Sequence, residues 1–153
     1  MHPLKYQFYI ATTQDKVWKA LVEPEYVAQI YFGCIIQSTY EKGSALAYVG
    51  PGKDGDETVH VFGTLLDYEP GRLLQFTHQV GPSYLEQPDS FNPTSRITWE
   101  VEPAGSTTKL ILTHDEWQAE DPNYERSDAS WWFILSSLKS LLETGRPLEY
   151  SAE

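Results

Sequence analysis

The residues of this chain best suited to chemistry are His78, His114 and Glu116, each in or beside a run of alternating apolar and polar residues. In the segments LLQFTHQV, ending at Val80, and TKLILTHDEW, ending at Trp117, both histidines fall on the side that carries the apolar residues. A neutral imidazole donates at one nitrogen and accepts at the other, so an inward histidine can orient a ligand or be satisfied by backbone, water or loop groups. If Val101 faces Thr108, His114 lies opposite Ser95 and His78 lies one strand beyond. Two strand spacings are roughly 10 Å, too far for the pair to hold one metal ion, and no metal site is expected. Glu116, one alternation past His114, is the inward candidate acid, while Asp115 points to the other face. His60 belongs to the outer face and is expected to be exposed.

Other chemistry finds no support in the spacing. Gly50-Pro51-Gly52-Lys53 lacks the length and the terminal Lys-Ser/Thr of a phosphate-binding loop and reads as a turn. There is no dinucleotide-binding glycine fingerprint, no HExxH and no Gly-x-Ser-x-Gly. Ser136, Ser137 and Ser140 lie on a helix with no base specified nearby. Cys34 is the only cysteine, which excludes an intramolecular disulfide and a cysteine-cluster metal site. No cofactor is expected.

Elements that alternate or recur every three to four residues must position these groups. Trp131, Ile134, Leu135, Leu138, Leu141 and Leu142 form one apolar stripe on a helix over Ser130–Gly145. Fifteen residues make it roughly 22 Å long, enough to cross a small sheet. Lys5–Ile10 reads as a first strand. Thr12 is the expected N-cap of a short helix carrying Val17, Trp18 and Leu21, which Pro24 ends, and a second short helix covers Glu25–Tyr31. Strands follow at Ile35–Ile36 and Ser44–Val49. Thr58–Tyr68 and Leu73–Val80 form one hairpin; Arg96–Val101 and Thr107–Trp117 form another. A long loop, GPSYLEQPDSFNPTS, separates the hairpins, and Ala119–Asp128 is a second loop.

With Leu66 facing Leu73, one sheet face carries Val61, Phe76, His78, Ile97, Trp99, Leu110, Leu112 and His114; the other carries Gln75, Thr77, Arg96, Thr98 and Lys109. The terminal helix is the obvious cover. Between the layers, Val61, Phe76, His78, Ile97, Trp99, Leu110, Leu112, His114, Trp131, Leu135 and Leu138 form either an ordinary core or the wall of an apolar pocket. Tyr40, Tyr48, Tyr84, Phe91 and Glu116 are rim candidates, and the tyrosines suit a protein contact equally well. Phe133 points away from the stripe and must find cover on a loop, the first helices or a partner.

The 153 residues fit one domain, 1–153, with no internal repeat. A net charge of −11 with no basic cluster argues against a general nucleic-acid or anionic-membrane surface. The start, MHPLKYQFYI, has no basic segment leading an apolar one, and no stretch reaches the length of a membrane span. A cytoplasmic location is the expectation.

The order of first strand, ATTQDKVWKALVEPEYVAQIY, Phe32-Gly33, meander and closing WWFILSSLKSLLETGRPL resembles the START/Bet v 1-like (SRPBCC) superfamily. Within it, the chain is similar to the branch that includes the C-terminal domain of the activator of Hsp90 ATPase. The resemblance implies an α+β helix-grip fold, a curved antiparallel sheet around a long C-terminal helix with two short helices after the first strand. It also implies a hydrophobic or amphipathic small molecule held between sheet and helix, without catalysis. Two alternatives stand beside that expectation. One is a protein-interaction or chaperone-associated module, with a protein partner or a second copy of the chain, although the separate N-terminal domain and long linker of a full activator are not seen. The other is a cyclase, hydrolase or dehydratase, which requires His78, His114 or Glu116 to converge on one ligand atom.

Overall fold

A computed structural model describes residues 1–149; the last four residues of the 1–153 span lie outside it. Among the described residues, seven strands form one antiparallel sheet: β1 (Leu4–Ile10), β2 (Ile35–Ser38), β3 (Ala45–Pro51), β4 (Glu57–Glu69), β5 (Leu73–Val80), β6 (Ser95–Ala104) and β7 (Thr107–Asp115). The spatial order is β1-β7-β6-β5-β4-β3-β2, so β1 and β2 hold opposite edges. Helices α1 (Gln14–Val22) and α2 (Pro24–Ile30) make the connection from one edge to the other, and α3 (Tyr124–Thr144) closes the chain. The α+β helix-grip architecture is the one expected.

Local chemistry sets the boundaries. Thr13, not Thr12, caps α1, its Oγ1 accepting from Lys16 N–H at 3.3 Å. Thr12 is committed elsewhere, its carbonyl accepting from the Thr108 hydroxyl at 2.8 Å. Pro24 both ends α1 and opens α2, where its missing N–H costs nothing. Helix α3 begins at Tyr124, six residues before the apolar stripe suggests. Its first turns are held by polar contacts that a hydrophobic period does not register. Asn123 N–H donates to Asp121 at 2.9 Å, and the Tyr6 hydroxyl of β1 donates to Asp128 at 2.5 Å. Gly145 ends the helix in the left-handed conformation, φ 83°, its N–H bonded to the Leu141 carbonyl.

Both hairpins keep the expected faces but not the expected register. Val101 lies opposite Leu110 and Ile97 opposite His114, because pairing continues through Pro103 to Ala104 and Thr107. At the other hairpin Leu73 pairs with Glu69, and a bulge between Leu65 and Asp67 absorbs one residue. A slip of two leaves every side chain on its own face, which is why the inward set survives. A second irregularity lies between Tyr48 and Val49, and bulges of this kind bend and twist a sheet. Gly63 allows a close approach of β4 and β5: a Cβ there would lie 1.7 Å from the Thr77 carbonyl oxygen, beside His78.

The core lies between the sheet and the helices. Phe76, Ile97, Trp99, Leu110, Leu112, Leu135 and Leu138 are buried together with Ile10, Val17 and Leu65. Phe133 stacks on Phe32 just after α2, which is the intramolecular cover its position calls for.

Candidate functional site: an aromatic enclosure at one end of the sheet

Ser95 opens β6 opposite His78, and His114, the next-to-last residue of β7, lies diagonally across from it. The serine is small, so the two imidazoles lean over it and meet with ring centroids 5.0 Å apart. The roughly 10 Å suggested by strand spacing does not separate the rings.

The donor and acceptor inventory fixes the state of His114. Trp131 on α3 can only donate, and its Nε1–H points at His114 Nδ1 from 3.0 Å. Nδ1 is therefore the unprotonated nitrogen, and the ring proton sits on Nε2. That Nε2–H donates to Ser95 Oγ at 2.7 Å. The Ser95 hydroxyl then reaches the His78 carbonyl at 3.5 Å, a long contact. Trp117 seals the assembly, its Nε1–H donating to the His114 carbonyl at 2.7 Å and its ring 3.9 Å from the imidazole. Burial, reinforced by any charge on His78, pushes His114 down to about 2. Burial also lowers His78 to about 4, although the residue as a whole is only partly buried. Both are neutral at pH 7, and both ring nitrogens of His114 are spoken for.

The histidine pair belongs to a larger ring of rings. His114 lies 5.9 Å from Trp131, Trp131 6.1 Å from Tyr31, Tyr31 4.6 Å from Tyr48, and Tyr48 5.9 Å from Phe76. Phe76 and His78 stand two residues apart on one face of β5. Trp99, 5.7 Å from Trp131, adds to the wall. Phe76, Trp99, His114, Trp131 and Tyr48 are buried, whereas Tyr31 and His78 are only partly so. Burial drives the Tyr31 and Tyr48 phenols well above their ordinary range. They stay neutral.

The other candidate residues separate into three groups. Ile97, Leu110, Leu112, Leu135 and Leu138 are sealed in the midline core, while Val61 is partly exposed near the enclosure. Tyr84 and Phe91 are exposed on the long loop, and Tyr40 stacks on Tyr68 at 4.9 Å, in a cluster with Trp18. Two expectations are corrected. Tyr48 is a buried wall residue and not a rim, because it pairs with Val61 inside the sheet. Glu116 is exposed on the outer side beside Arg96, because its positive φ of 57° ends the alternation at Asp115. His78, His114 and Glu116 therefore do not converge. His60 is also more engaged than expected, bridging the Tyr84 hydroxyl at 2.7 Å and the Pro51 carbonyl at 3.0 Å.

Tyr31 and Trp117 escape a reading of spacing alone. Tyr31 is the last residue of a short helical pattern, and Trp117 follows the last strand; neither position reveals that its ring turns inward. Two surface grooves lie elsewhere, one of about 430 Å³ between Ala11–Gln14 and Pro103–Thr108, the other of about 330 Å³ beside Gly33 and Gly50. Neither is lined by a residue of the enclosure. Among the described residues no group of three or more His, Cys, Asp or Glu is set to hold a metal ion, and no helix is long and apolar enough to cross a membrane.

Comparison with known proteins agrees with this architecture. No curated protein matches the chain. Among solved structures, protein MLL2253 from Mesorhizobium loti is 18% identical with a TM-score of 0.72, covering 92% of this chain and 96% of its own. The Aha1 dimer from Colwellia psychrerythraea is 19% identical with a TM-score of 0.69, covering 95% and 98%. ChR145 from Cytophaga hutchinsonii is 25% identical with a TM-score of 0.67, covering 93% and 94%. The family described as activator of Hsp90 ATPase homolog 1-like protein matches residues 11–143, most of the chain. The chain belongs to that family, the branch of the SRPBCC superfamily that its helix motifs resemble.

Proposed function

We propose that this protein binds a small hydrophobic or amphipathic molecule in the enclosure formed by Tyr31, Tyr48, Phe76, His78, His114 and Trp131. The supporting observation is that Tyr31 and His78 are only partly buried within an otherwise buried cluster of aromatic rings. The sealed midline favours binding at this end of the sheet over the whole sheet–helix layer. Entry is past Tyr31 and His78, with Val61 at the approach. Apolar walls supply most of the affinity, and a few polar groups orient the guest.

N-phenyl-1-naphthylamine, an uncharged fluorescent probe, tests this reading. We expect saturable one-to-one binding with energy transfer from tryptophan. A Val61→Trp variant that remains folded should weaken binding by about tenfold or more, the factor that 1.4 kcal/mol produces. A Trp132→Ser variant should leave it unchanged. Absence of saturable binding would overturn the proposal.

One observation favours a second reading, a contact with a protein partner or a second copy of the chain. Trp132 is 53% exposed on α3, edge-on to Tyr6 and near Phe8 of the edge strand β1, where Tyr9 is exposed as well. On that reading Trp132→Ser, and not Val61→Trp, is the disruptive change.

A further inference from the structure

We propose that the outer edge of β2 takes up a short extended segment of a partner protein, paired as an added strand and carrying lysine or arginine at alternate positions. The groove beside this edge holds none of the enclosure residues, and the inference is independent of the ligand-binding reading.

A sheet that does not close leaves a row of unpaired backbone groups at each edge. At the β1 edge the row is plugged at its end. Lys139 Nζ donates to the Tyr9 carbonyl at 2.6 Å, and Ala11 N–H donates to Glu143 at 2.7 Å. At the opposite edge β2 pairs with β3 alone, and among the described residues no other backbone hydrogen bond reaches Ile35–Ser38. Charged side chains, lysine above all, are a common guard against an added strand. The β2 sequence, IIQS, carries none, and its 4 residues suit a short segment.

Charge complementarity sets the chemistry of the occupant. Ile36 pairs with Tyr48 and both are buried in the core, so Ile35 and Gln37 stand on the outer face. Beside them runs a groove of about 330 Å³, with Ile35, Val49 and Pro51 as apolar lining and Asp56 and Glu57 as charged lining. Glu57 belongs to β4, yet its carboxylate lies 3.3 Å from the Gln37 amide, which carries a negative charge across β3 to the edge strand. Asp54 adds a carboxylate in the turn before β4, where Lys53 is the only basic residue. Among the described residues no ion pair engages Asp54, Asp56 or Glu57. A lysine or arginine on the outer face of an added strand can lay its aliphatic stem on the apolar lining and bring its charge to these carboxylates. An acidic segment is repelled, and the net charge of −11 reinforces that choice. The chain has no basic cluster of its own to serve as the segment, so the occupant is a different protein.

Two blocked peptides, acetyl-Val-Lys-Val-Lys-Val-amide and acetyl-Val-Glu-Val-Glu-Val-amide, test this by titration into the full chain, followed in proton–nitrogen correlation spectra. With the lysine peptide, the backbone amide signals of Gly33, Gly50 and Ile35–Ser38 should move along one saturating curve. The glutamate peptide should bind at least about tenfold more weakly. In a double variant, Asp56→Asn with Glu57→Gln, both at exposed positions, the lysine peptide should bind about fivefold more weakly, the worth of two surface ion pairs. Pairing as a strand has its own signature, because alternate residues turn their amides toward the neighbouring strand. N-methylation of the lysine residues and of the valine residues, in separate peptides, should abolish binding in one case and spare it in the other. Equal affinity for the two unmethylated peptides, or unchanged affinity in the double variant, overturns the inference. So does an equal response to the two methylations, or the absence of saturable movement at Ile35–Ser38.

Discussion

Replacing Trp131 with alanine is expected to destabilise the protein by about 5 kcal/mol, combining a large buried-aromatic cavity with an orphaned acceptor on His114. Trp131 is 5% exposed, its ring meets those of Tyr31, Trp99 and His114, and its indole N–H is the partner of His114 Nδ1. Domains of this size have a net stability of roughly 5–15 kcal/mol, so the alanine variant sits near the edge of folding. Trp131→Phe divides the effect. It keeps most of the apolar surface and removes the donor, and should cost about 1–3 kcal/mol for the unsatisfied nitrogen. Urea denaturation with an unchanged m-value measures both variants. If Trp131→Phe is neutral, the hydrogen bond to His114 does not hold the tautomer, and the relay to Ser95 loses its anchor.

Acid should unfold this protein earlier than its carboxylates alone require. The folded pKa values of His78 and His114 lie near 4 and 2, below the unfolded value near 6.5. Below pH 6.5 the unfolded chain therefore binds protons that the folded chain refuses. Stability contributed by the neutral histidines is complete above that pH and is lost as pH falls towards the folded values. At pH 4.5 each histidine accounts for roughly 2–3 kcal/mol of loss, from 1.36 kcal/mol per unit over about two units. Asp67 and Glu143, lowered by Lys42 and Lys139 respectively, lose their contributions only further into acid. Urea midpoints at pH 7 and pH 4.5 should therefore differ strongly in the unmodified chain. In His78→Leu the difference should shrink by about half. A flat profile between these pH values, or an undiminished drop in His78→Leu, would contradict the assignment of neutral rings in the folded state.

The fold was far more legible than the site because local periods encode faces, and the site depends on where chains cross. The stripe from Trp131 to Leu142 and the alternation in both hairpins placed helix and sheet without any knowledge of pairing. Even the two-residue slip at Val101 did no damage, since a strand repeats every two residues. What failed was decided by single residues. Glu116 left its expected face through one positive φ, and the start of α3 lay in a polar segment with no apolar period. The meeting of His78 and His114 required Ser95 between them, a fact of diagonal geometry across three strands. Tyr31, just past the end of α2, meets the rings of Tyr48 and Trp131, a contact that no spacing in the sequence expresses.

The indole N–H signals of the chain's five tryptophans offer the most direct test that the enclosure admits a guest. Trp99 and Trp131 form part of its wall, Trp18 packs beside Tyr68 on another side of the core, and Trp132 faces solvent. In proton–nitrogen correlation spectra, N-phenyl-1-naphthylamine should shift the Trp131 and Trp99 signals, saturating along the same curve as the fluorescence titration, with Trp18 and Trp132 unmoved. Movement of Trp132 while Trp131 stays fixed would place the probe on the outer surface and contradict the account.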